Sequence, residues 1–425
     1  MSLKTYRVST LGCRVNRADS IAIERDLALR GFRRAEPDDV PDVWVVNTCA
    51  VTAEGMRKSR KLARRCARSG AHVIVTGCGA DLDPDVFNVP GVESIVANGD
   101  KDSIARQARE ADASPTCSGG ALCEWTPEEL VRVPVKVQEG CNRYCTYCIV
   151  PYLRPPPSSR QIESIVEEVR KLGALGAGEI ILCGIDLGSY RDPVRGQGLD
   201  ALVRSVVTEC GGTWLRLSSI ELSDIGPGLA SALAEGGALR RHLHVPLQSG
   251  DERVLADMGR EYTPELFMER VRQLRELVPG LSITTDVMVG FPTEDESAFK
   301  RTAQMLDDIG FSRVHVFKYS PRPRTAAVSL GDPVKPELKA ARAEALRELA
   351  RGTALRFHEC FVGRIIQVLV EASMESEPGR VFGRAESFAG VIFDGSPALV
   401  GRTVDVRVTD AGPEGLRGVM VMTNE

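Results

Sequence analysis

The sequence predicts an α/β protein with three successive regions, and three patterns support this. In the first hundred residues, apolar runs alternate with amphipathic helical segments, which is typical of a parallel α/β sheet. From about residue 131, six strand candidates alternate with helices, too few for a complete barrel, and indicate an open partial (β/α)6 barrel. The last seventy residues contain β-branched runs separated by glycine-rich turns, which predict a small all-β barrel.

Composition sets the outer limits. The chain has 425 residues, of which 43 % are apolar and 5 % aromatic, as in soluble proteins with two to four domains. The start lacks a long apolar segment and no run of 18 apolar residues occurs, so we expect a cytoplasmic protein with no membrane association. Twelve cysteines in a reducing compartment indicate metal binding or catalysis rather than disulfides. The net charge of -4 means that any nucleic-acid contact must use local basic patches.

Three apolar runs of the first region each end at a cysteine, at residues 6–12, 43–48 and 73–77. We call Cys13, Cys49 and Cys78 the first triad. Helices are predicted between these runs at residues 18–30 and 53–69, each followed by a glycine. Because the carboxyl ends of parallel strands share one edge, the three thiols should converge there. Each cysteine alone could be a buried core thiol, but the repeated placement favours a three-thiolate metal site.

A second set of cysteines has the spacing C-x3-C-x2-C. We call Cys141, Cys145 and Cys148 the second triad. Three thiolates at this spacing can hold three irons of a 4Fe-4S cluster and leave the fourth iron open. No His or fourth Cys lies close enough in sequence to complete a tetrahedral zinc site. The triad follows a strand predicted at 133–137, and its spacing and position resemble those of radical S-adenosylmethionine (SAM) enzymes.

The predicted partial barrel has strands at 133–137, 179–182, 214–217, 242–245, 283–289 and 314–319, with helices that include 163–172 and 264–277. Polar and glycine residues just after these strands should line one mouth, and several should contact SAM. The candidates are Gly184, Asp186, Ser218 and Gln248. The alternative is that such glycines only form tight turns. A helix at 340–356 should lead into the last region, with strands at 361–371, 381–382, 390–393, 404–408 and 418–422.

Several motifs, in their order along the chain, resemble the radical-SAM methylthiotransferases. They are Gly12-Cys13-Arg14-Val15-Asn16, Asn47-Thr48-Cys49, Thr76-Gly77-Cys78, the run 139–152 around the second triad, His244-Val245-Pro246-Leu247-Gln248-Ser249-Gly250 and the run 286–292. The resemblance implies an N-terminal methylthiotransferase domain (1–125), a radical-SAM domain (131–355) and a C-terminal TRAM domain that holds RNA (356–425). It also implies that the first triad ligates an auxiliary 4Fe-4S cluster, the second triad ligates the SAM-cleaving cluster, and Tyr147 lies near SAM.

Within that family, the sequence after the first two cysteines and Lys58-Ser59-Arg60 look most like the subgroup acting on N6-threonylcarbamoyladenosine in tRNA. That subgroup forms the 2-methylthio derivative at position 37, next to the anticodon. Alternative substrates are isopentenyladenosine tRNA, whose enzymes tend to have Gln-Met-Asn after the first Gly-Cys, or a ribosomal protein. A non-enzymatic electron carrier would need completely ligated clusters, and the missing fourth cysteines argue against it.

The resemblance also implies the chemistry. One electron cleaves SAM to a 5′-deoxyadenosyl radical that attacks the C2–H bond of the adenine, sulfur comes from the auxiliary site, and a second SAM provides the methyl group. The electron donor would be a reductant such as a flavodoxin or ferredoxin, and the sulfur donor stays open. The sequence has five His, none near a cluster cysteine, so no protein acid or base is nominated and the catalytic residues stay unknown.

The anticodon stem-loop could contact a cationic helix in the first region. Its candidate RNA-binding residues are Arg57, Lys58, Arg60, Lys61, Arg64 and Arg68. The alternative is a solvated cationic face. Three features depart from the family: Pro155 and Arg324 replace usual glycines, and the chain from Arg356 onward has seven Arg against ten Asp or Glu, a net charge of -3. The remaining cysteines, interpreted as packing or surface residues, are Cys66, Cys117, Cys123, Cys183, Cys210 and Cys360.

Overall fold

A computed structural model describes residues 4–110 and 125–421 of the chain, so Cys117 and Cys123 lie outside the described residues. The chain forms two compact units. The first comprises Met1–Trp125, Glu139–Arg143 and Cys148–Pro157, and the second comprises Thr126–Gln138, Tyr144–Tyr147 and Ser158–Glu425. Among the described helices, none is both long enough and apolar enough to cross a bilayer.

The first unit is built on a five-stranded parallel sheet in the order β2-β1-β3-β4-β5. Its elements are β1 Thr5–Thr10, α1 Arg14–Leu29, β2 Arg33–Arg34, β3 Val43–Thr48, α2 Ala53–Ala67, β4 His72–Gly77, α3 Cys78–Leu82, β5 Val92–Val96 and α4 Ile104–Glu110. Separate apolar cores contain residues of α2 on one side and of α1 and α4 on the other. A sheet covered on both faces explains the near-continuous apolar runs of its strands and confirms the predicted parallel α/β architecture.

The helices of this unit start and stop for local reasons. α1 begins at Arg14, four residues before the predicted start, because Val15 and Asn16 are already buried in its first turn. Thr52 caps α2 by accepting a hydrogen bond from the Gly55 amide at 3.0 Å. Gly31 follows the end of α1 with a φ of +89°, the left-handed conformation that glycine adopts without strain.

Six parallel strands form two three-stranded sheets, β10-β9-β6 and β11-β12-β13, with a bridge between Ser219 and His244. The elements of this part of the chain are α5 Pro127–Val131, β6 Arg132–Lys136, β7 Gln138–Glu139, β8 Ser158–Ser159, α6 Ile162–Ala174, β9 Glu179–Cys183, α7 Leu199–Glu209, β10 Trp214–Leu217, α8 Pro227–Glu235, β11 His242–His244, α9 Glu252–Asp257, α10 Pro264–Leu277, β12 Ser282–Val289, α11 Glu296–Ile309, β13 Arg313–Lys318 and α12 Pro336–Glu359. All six predicted barrel strands are present, which confirms the open partial (β/α)6 prediction.

The chain ends in a closed five-stranded barrel in the order β14-β15-β16-β18-β17. Its strands are β14 Ile365–Ser373, β15 Arg380–Ala385, β16 Gly390–Asp394, β17 Thr403–Gly412 and β18 Gly415–Met420. Alternate residues such as Val368, Val370 and Phe393 fill its interior, which confirms the predicted small barrel. The first strand was predicted from Phe361 but starts at Ile365, because Gly363, at a φ of +83°, turns the chain just after α12.

A buried charge cluster joins this barrel to the β10-β9-β6 sheet. Glu179, the first residue of β9, accepts hydrogen bonds from Arg216 and Arg132, both at 2.6 Å. Arg216, which is fully buried, also donates to the Glu386 carbonyl of the β15–β16 loop at 3.1 Å. In the same loop, the Phe388 ring lies 5.1 Å from the guanidinium carbon of each of these arginines. The cluster occupies the amino ends of β6 and β9, so the carboxyl ends are left for the candidate site.

Glu179→Gln is expected to destabilise the second unit by about 3–5 kcal/mol, because the fully buried Arg216 loses its carboxylate and the partly buried Arg132 keeps only Glu371. Urea denaturation at pH 7 would measure this change. The matched control is Glu163→Gln, which removes an exposed ion pair with Arg195 and should cost less than about 1 kcal/mol. Equal losses for the two variants would contradict the expectation.

The stabilisation that the Glu179 carboxylate contributes should depend on pH in a definite direction. Burial raises the pKa of Glu179, but Arg216 and Arg132 outweigh burial and the net pKa is lowered. A carboxylate whose pKa is lowered on folding stabilises the protein above its unfolded pKa, and this contribution is lost as the pH falls through the folded pKa. The difference between wild type and Glu179→Gln should therefore be full at pH 7 and should shrink below about pH 4.5.

Candidate cluster and cofactor sites

The first triad lies along one edge of the five-stranded sheet. Thr10 pairs with Asn47, and Asn47 pairs with Thr76, so β1, β3 and β4 end in register. Each cysteine follows its strand within three residues. One cysteine is the N-cap of α1, one lies in the loop before α2 and one is the first residue of α3. The structure thus brings together the three thiols that the sequence analysis placed at one sheet edge.

The three thiols are close enough to affect one another. Burial raises the pKa of Cys49, and the neighbouring Cys78 and Cys13 raise it further. Gly12, at a φ of +104°, passes so close that an added Cβ would lie 3.0 Å from the Cys49 Sγ. Within the described residues, no three His, Cys, Asp or Glu side chains could share a single metal ion. A 4Fe-4S cluster places each thiolate on a different iron, and three thiols that follow neighbouring strands at one sheet edge are the donor set that such a cluster needs.

Of the second triad, Cys141 and Cys148 belong to the first unit and Cys145 belongs to the second. The Cys141 Sγ accepts a hydrogen bond from the Arg143 amide at 3.4 Å. The Cys145 Sγ accepts one from the Arg260 Nη1 at 3.6 Å, and Arg260 is itself paired with Glu221. The sequence analysis missed Arg260, which no motif marks because it lies 115 residues from Cys145.

Two of the predicted SAM-binding residues present unsatisfied polar atoms. The Ser218 Oγ, after β10, and the Gln248 Oε1, after β11, are buried and have no hydrogen-bond partner among the described residues. Gln248 also has a φ of +65°, a strained conformation for this residue, fixed by backbone hydrogen bonds to Asp286 and Met288 in β12. Buried polar atoms of this kind normally have a partner, so both are suited to a polar ligand such as SAM.

Gly184 and Asp186, which follow β9, lie at the same end of the strands. The Asp186 amide donates to the Gln138 Oε1 at 2.9 Å, and an added Cβ on Gly184 would come within 2.7 Å of that oxygen. Gln138, which the sequence analysis did not identify, therefore sets the turn after β9. Tyr147 packs against an apolar cluster that includes Met288.

A histidine and a carboxylate form a pair that the sequence analysis did not nominate. The His244 Nε2 lies 3.2 Å from the Asp286 Oδ2, and its Nδ1 lies 2.9 Å from the Thr284 Oγ1. Both neighbours are on β12, and the His315 ring on β13 lies 6.0 Å away. His244 belongs to a motif that the sequence analysis quoted, but its partner lies on another strand.

The predicted RNA-binding residues lie on α2 and its C-cap. Arg57, Lys58, Lys61, Arg64 and Arg68 are exposed, and Arg60 is half-buried. Glu54 pairs with two of these cations, Arg57 at 2.6 Å and Lys58 at 3.8 Å. The others keep the exposed face of α2 positive.

The second unit contains its own cluster of arginines, although its last region is acidic. A cleft of about 480 Å³ between α12, β13 and the closed barrel is lined by Arg313, Arg347, Arg351 and Arg384. Two of these arginines come from α12, which precedes the acidic strands. Glu344 and Glu414 also line the cleft, and Glu344 pairs with Arg347 at 3.1 Å, so the cleft collects four arginines against two glutamates.

The two departures from glycine have different outcomes. Arg324 adopts a φ of +73°, so it keeps the left-handed conformation of a glycine despite its side chain. The Pro155 carbonyl oxygen packs closely against Gly140, where an added Cβ would lie only 2.3 Å from it. The absence of a side chain at Gly140 therefore leaves room for the proline segment.

The other described cysteines lie where the sequence analysis expected. Cys66, Cys183 and Cys210 are buried and Cys360 is exposed. Burial raises the pKa of Cys66 to about 11, which suits an inert core thiol.

Comparisons with known proteins identify the family of this chain. The uncharacterized protein family UPF0004 matches residues 5–96, the Radical SAM superfamily matches 135–306 and the TRAM domain matches 360–421. The chain is 33 % identical to the threonylcarbamoyladenosine tRNA methylthiotransferase MtaB of Bacillus subtilis, with 96 % of this chain and 95 % of that protein covered. The chain belongs to the radical-SAM tRNA methylthiotransferase family. Members of this family use SAM and two 4Fe-4S clusters.

Relatives with a different substrate in their names are about equally similar. The tRNA-2-methylthio-N(6)-dimethylallyladenosine synthase of Pelotomaculum thermopropionicum is 33 % identical, with 98 % of each chain covered. Among solved structures, the radical SAM methyltransferase TsrM of Kitasatospora setae matches with a TM-score of 0.55 and 15 % identity, covering 90 % of this chain and 81 % of that one. That likeness supports the fold alone.

Gln248 allows a test of the predicted SAM site. Gln248→Asn should weaken SAM binding roughly tenfold, because asparagine tolerates the left-handed backbone but its shorter side chain withdraws the buried acceptor. Equilibrium dialysis with the cluster-loaded protein would measure this, with the exposed Gln304→Asn as the matched control. Unchanged affinity at full iron content would show that Gln248 does not contact SAM.

Proposed function

We propose that this chain converts N6-threonylcarbamoyladenosine at position 37 of tRNA to its 2-methylthio derivative. The first triad would hold the auxiliary cluster and the second triad the SAM-cleaving cluster. When bound, these cofactors supply the radical, the sulfur and the methyl group, and the protein supplies their positions. The observation that carries the assignment of the clusters is the convergence of the first triad beside the end of three parallel strands.

The choice of substrate rests on the residues after Cys13 and Cys49 and on the similarity to the MtaB relative. The runner-up substrate is isopentenyladenosine tRNA, which the equal identity to the dimethylallyladenosine synthase favours. A ribosomal protein is a further alternative, but the TRAM match favours RNA. A tRNA substrate would place the reaction in the cytoplasm, with a flavodoxin or ferredoxin as a suitable reductant.

The domain division that accompanies this proposal is a methylthiotransferase domain over 1–125, a radical-SAM domain over 131–355 and a TRAM domain over 356–425. The three family matches, at 5–96, 135–306 and 360–421, fall inside these limits and support the division.

The substrate can be tested directly. The reconstituted enzyme would be offered matched tRNAs with either the threonylcarbamoyl or the isopentenyl modification, and the nucleosides would be analysed by mass spectrometry. We expect a mass increase of one methylthio group on the threonylcarbamoyl nucleoside only. Methylthiolation of the isopentenyl nucleoside alone would transfer the chain to the other subgroup and leave the enzyme class unchanged.

The cationic face of α2 is proposed to contact phosphates of the anticodon stem-loop. Replacing Arg57, Arg60, Arg64 and Arg68 by Gln should weaken binding of all tRNAs alike and lower the salt slope by about 1 for each lost phosphate contact. Cluster content should not change. Salt titrations of tRNA binding would measure both quantities.

The control for α2 removes four surface arginines from the second unit. They are Arg170, Arg204, Arg253 and Arg272, all in surface ion pairs. An equal loss of tRNA affinity in this control would mean that general charge, and not the face of α2, attracts the RNA.

A further inference from the structure

A buried guanidinium group stands at the centre of the first unit. The side chain of Arg154 is 1 % exposed, and its Nη1 lies 2.8 Å from the Asp19 Oδ2 and 3.3 Å from the Glu139 Oε2. The Lys101 Nζ lies 2.7 Å from the same Asp19 oxygen, and the side chains of Lys101 and Asp19 are both buried. Two cations and two carboxylates therefore form one network that is shielded from solvent. Charges in such a place act over longer distances than surface charges do.

This network touches all three loops of the first triad. The Arg154 Nη2 donates a hydrogen bond to the Asn16 Oδ1. The Asn16 Nδ2 in turn donates to the Leu11 carbonyl at 2.8 Å and to the Thr48 carbonyl at 2.9 Å. Thr48 directly precedes Cys49, and Leu11 lies two residues before Cys13. The position of Arg154 is thereby transmitted to two of the three thiols.

The third thiol interacts with Arg154 itself. Burial raises the pKa of the Cys78 thiol, and the charges of Arg154 and Lys101 oppose that rise. The Arg154 Nε has no oxygen or nitrogen partner among the described residues. The Asn98 Nδ2 lies 3.8 Å from the Cys78 Sγ and donates to the Leu153 carbonyl at 2.8 Å, next to Arg154 in the chain. Asn98 therefore links the Cys78 sulfur to the backbone next to Arg154, and the charge of Arg154 acts on the Cys78 thiol.

We propose that Arg154, anchored by Asp19, is the positioning residue of the first triad and stabilises the more negative states of the cluster held there. This inference rests on the proposed role of the first triad as the auxiliary cluster site. A cluster gains negative charge when it is reduced or when its open iron takes an anionic sulfur ligand such as hydrosulfide. A fixed cation beside its thiolates favours both, since net charge and hydrogen bonds to sulfur set cluster potentials. Arg154 acts through the thiolates and needs no contact with the tRNA.

The test uses the full chain with the second triad changed to Ala, so that only the auxiliary cluster gives a signal. Iron content should be about four per chain. In this background Arg154→Gln should lower the midpoint potential and weaken hydrosulfide binding about tenfold or more, as followed by EPR of the reduced cluster. Asp19→Asn should shift the potential in the opposite direction, because it removes a negative charge from the same network.

The matched controls are Arg30→Gln and Asp26→Asn, an ion pair at the C-terminal end of α1, the helix that carries Asp19, and neither should move the potential. Arg154→Lys retains the positive charge but loses the planar guanidinium group with its several donors. The midpoint potential of this variant should lie between those of wild type and Arg154→Gln. Should Arg154→Gln take up no iron, Asp19→Asn and Lys101→Gln must still move the potential up and down, respectively. The proposal would be overturned if the iron-loaded Arg154→Gln and Asp19→Asn variants kept the wild-type potential, or if both variants shifted the potential in the same direction. If the chain with only the second triad changed to Ala, and with Arg154 intact, bound no iron, the assignment of the first triad as a cluster site would be refuted instead.

Discussion

Parallel strands end at a common edge, and the proposed chemistry depends on this constraint. Cysteines that lie 36 and 29 residues apart in the chain become neighbours because β1, β3 and β4 stop in register. The same rule collects Ser218 and Gln248 from successive strands of the second unit. A residue placed just after such a strand needs no long loop to reach the site. Formation of the sheet already orders the backbone beside it, so little further conformational entropy is lost in positioning the residue.

Buried ion pairs occupy both units, and they differ in what they do. Glu179 with Arg216 and Arg132 lies at the amino ends of strands, and it joins the closed barrel to the sheet. Arg154 with Asp19 lies beside the first triad at the carboxyl edge. A buried pair adds little stability compared with a well-packed apolar one, but loss of one partner is costly. Such pairs therefore hold geometry strictly, which suits a domain junction in one case and a set of thiols in the other.

The sequence predicted the strands and helices well because their periodicities are local. It predicted both triads from cysteine spacing and strand ends, which are visible in one dimension, and the structure places the first triad at one sheet edge. The sequence could not locate Arg154, whose partner Asp19 is 135 residues away, or the pairing of Arg260 with Cys145. The same limit applies to His244 and Asp286, which meet only after two strands align. Contacts between distant segments follow from the fold, so no window of sequence contains them.

The net charge of a sequence segment does not describe the charge of the surfaces that form around it in the folded protein. From Arg356 onward the chain has a net charge of -3, which alone argues against RNA binding. In the folded second unit, Arg347 and Arg351 of α12 and Arg313 of β13 line a cleft together with Arg384 of the barrel. Phosphate groups respond to the local arrangement of cations within about 10 Å and not to the net charge of a segment, because salt screens more distant charges. Four arginines against two glutamates line that cleft, so the net charge of the last region does not describe every surface of the folded second unit.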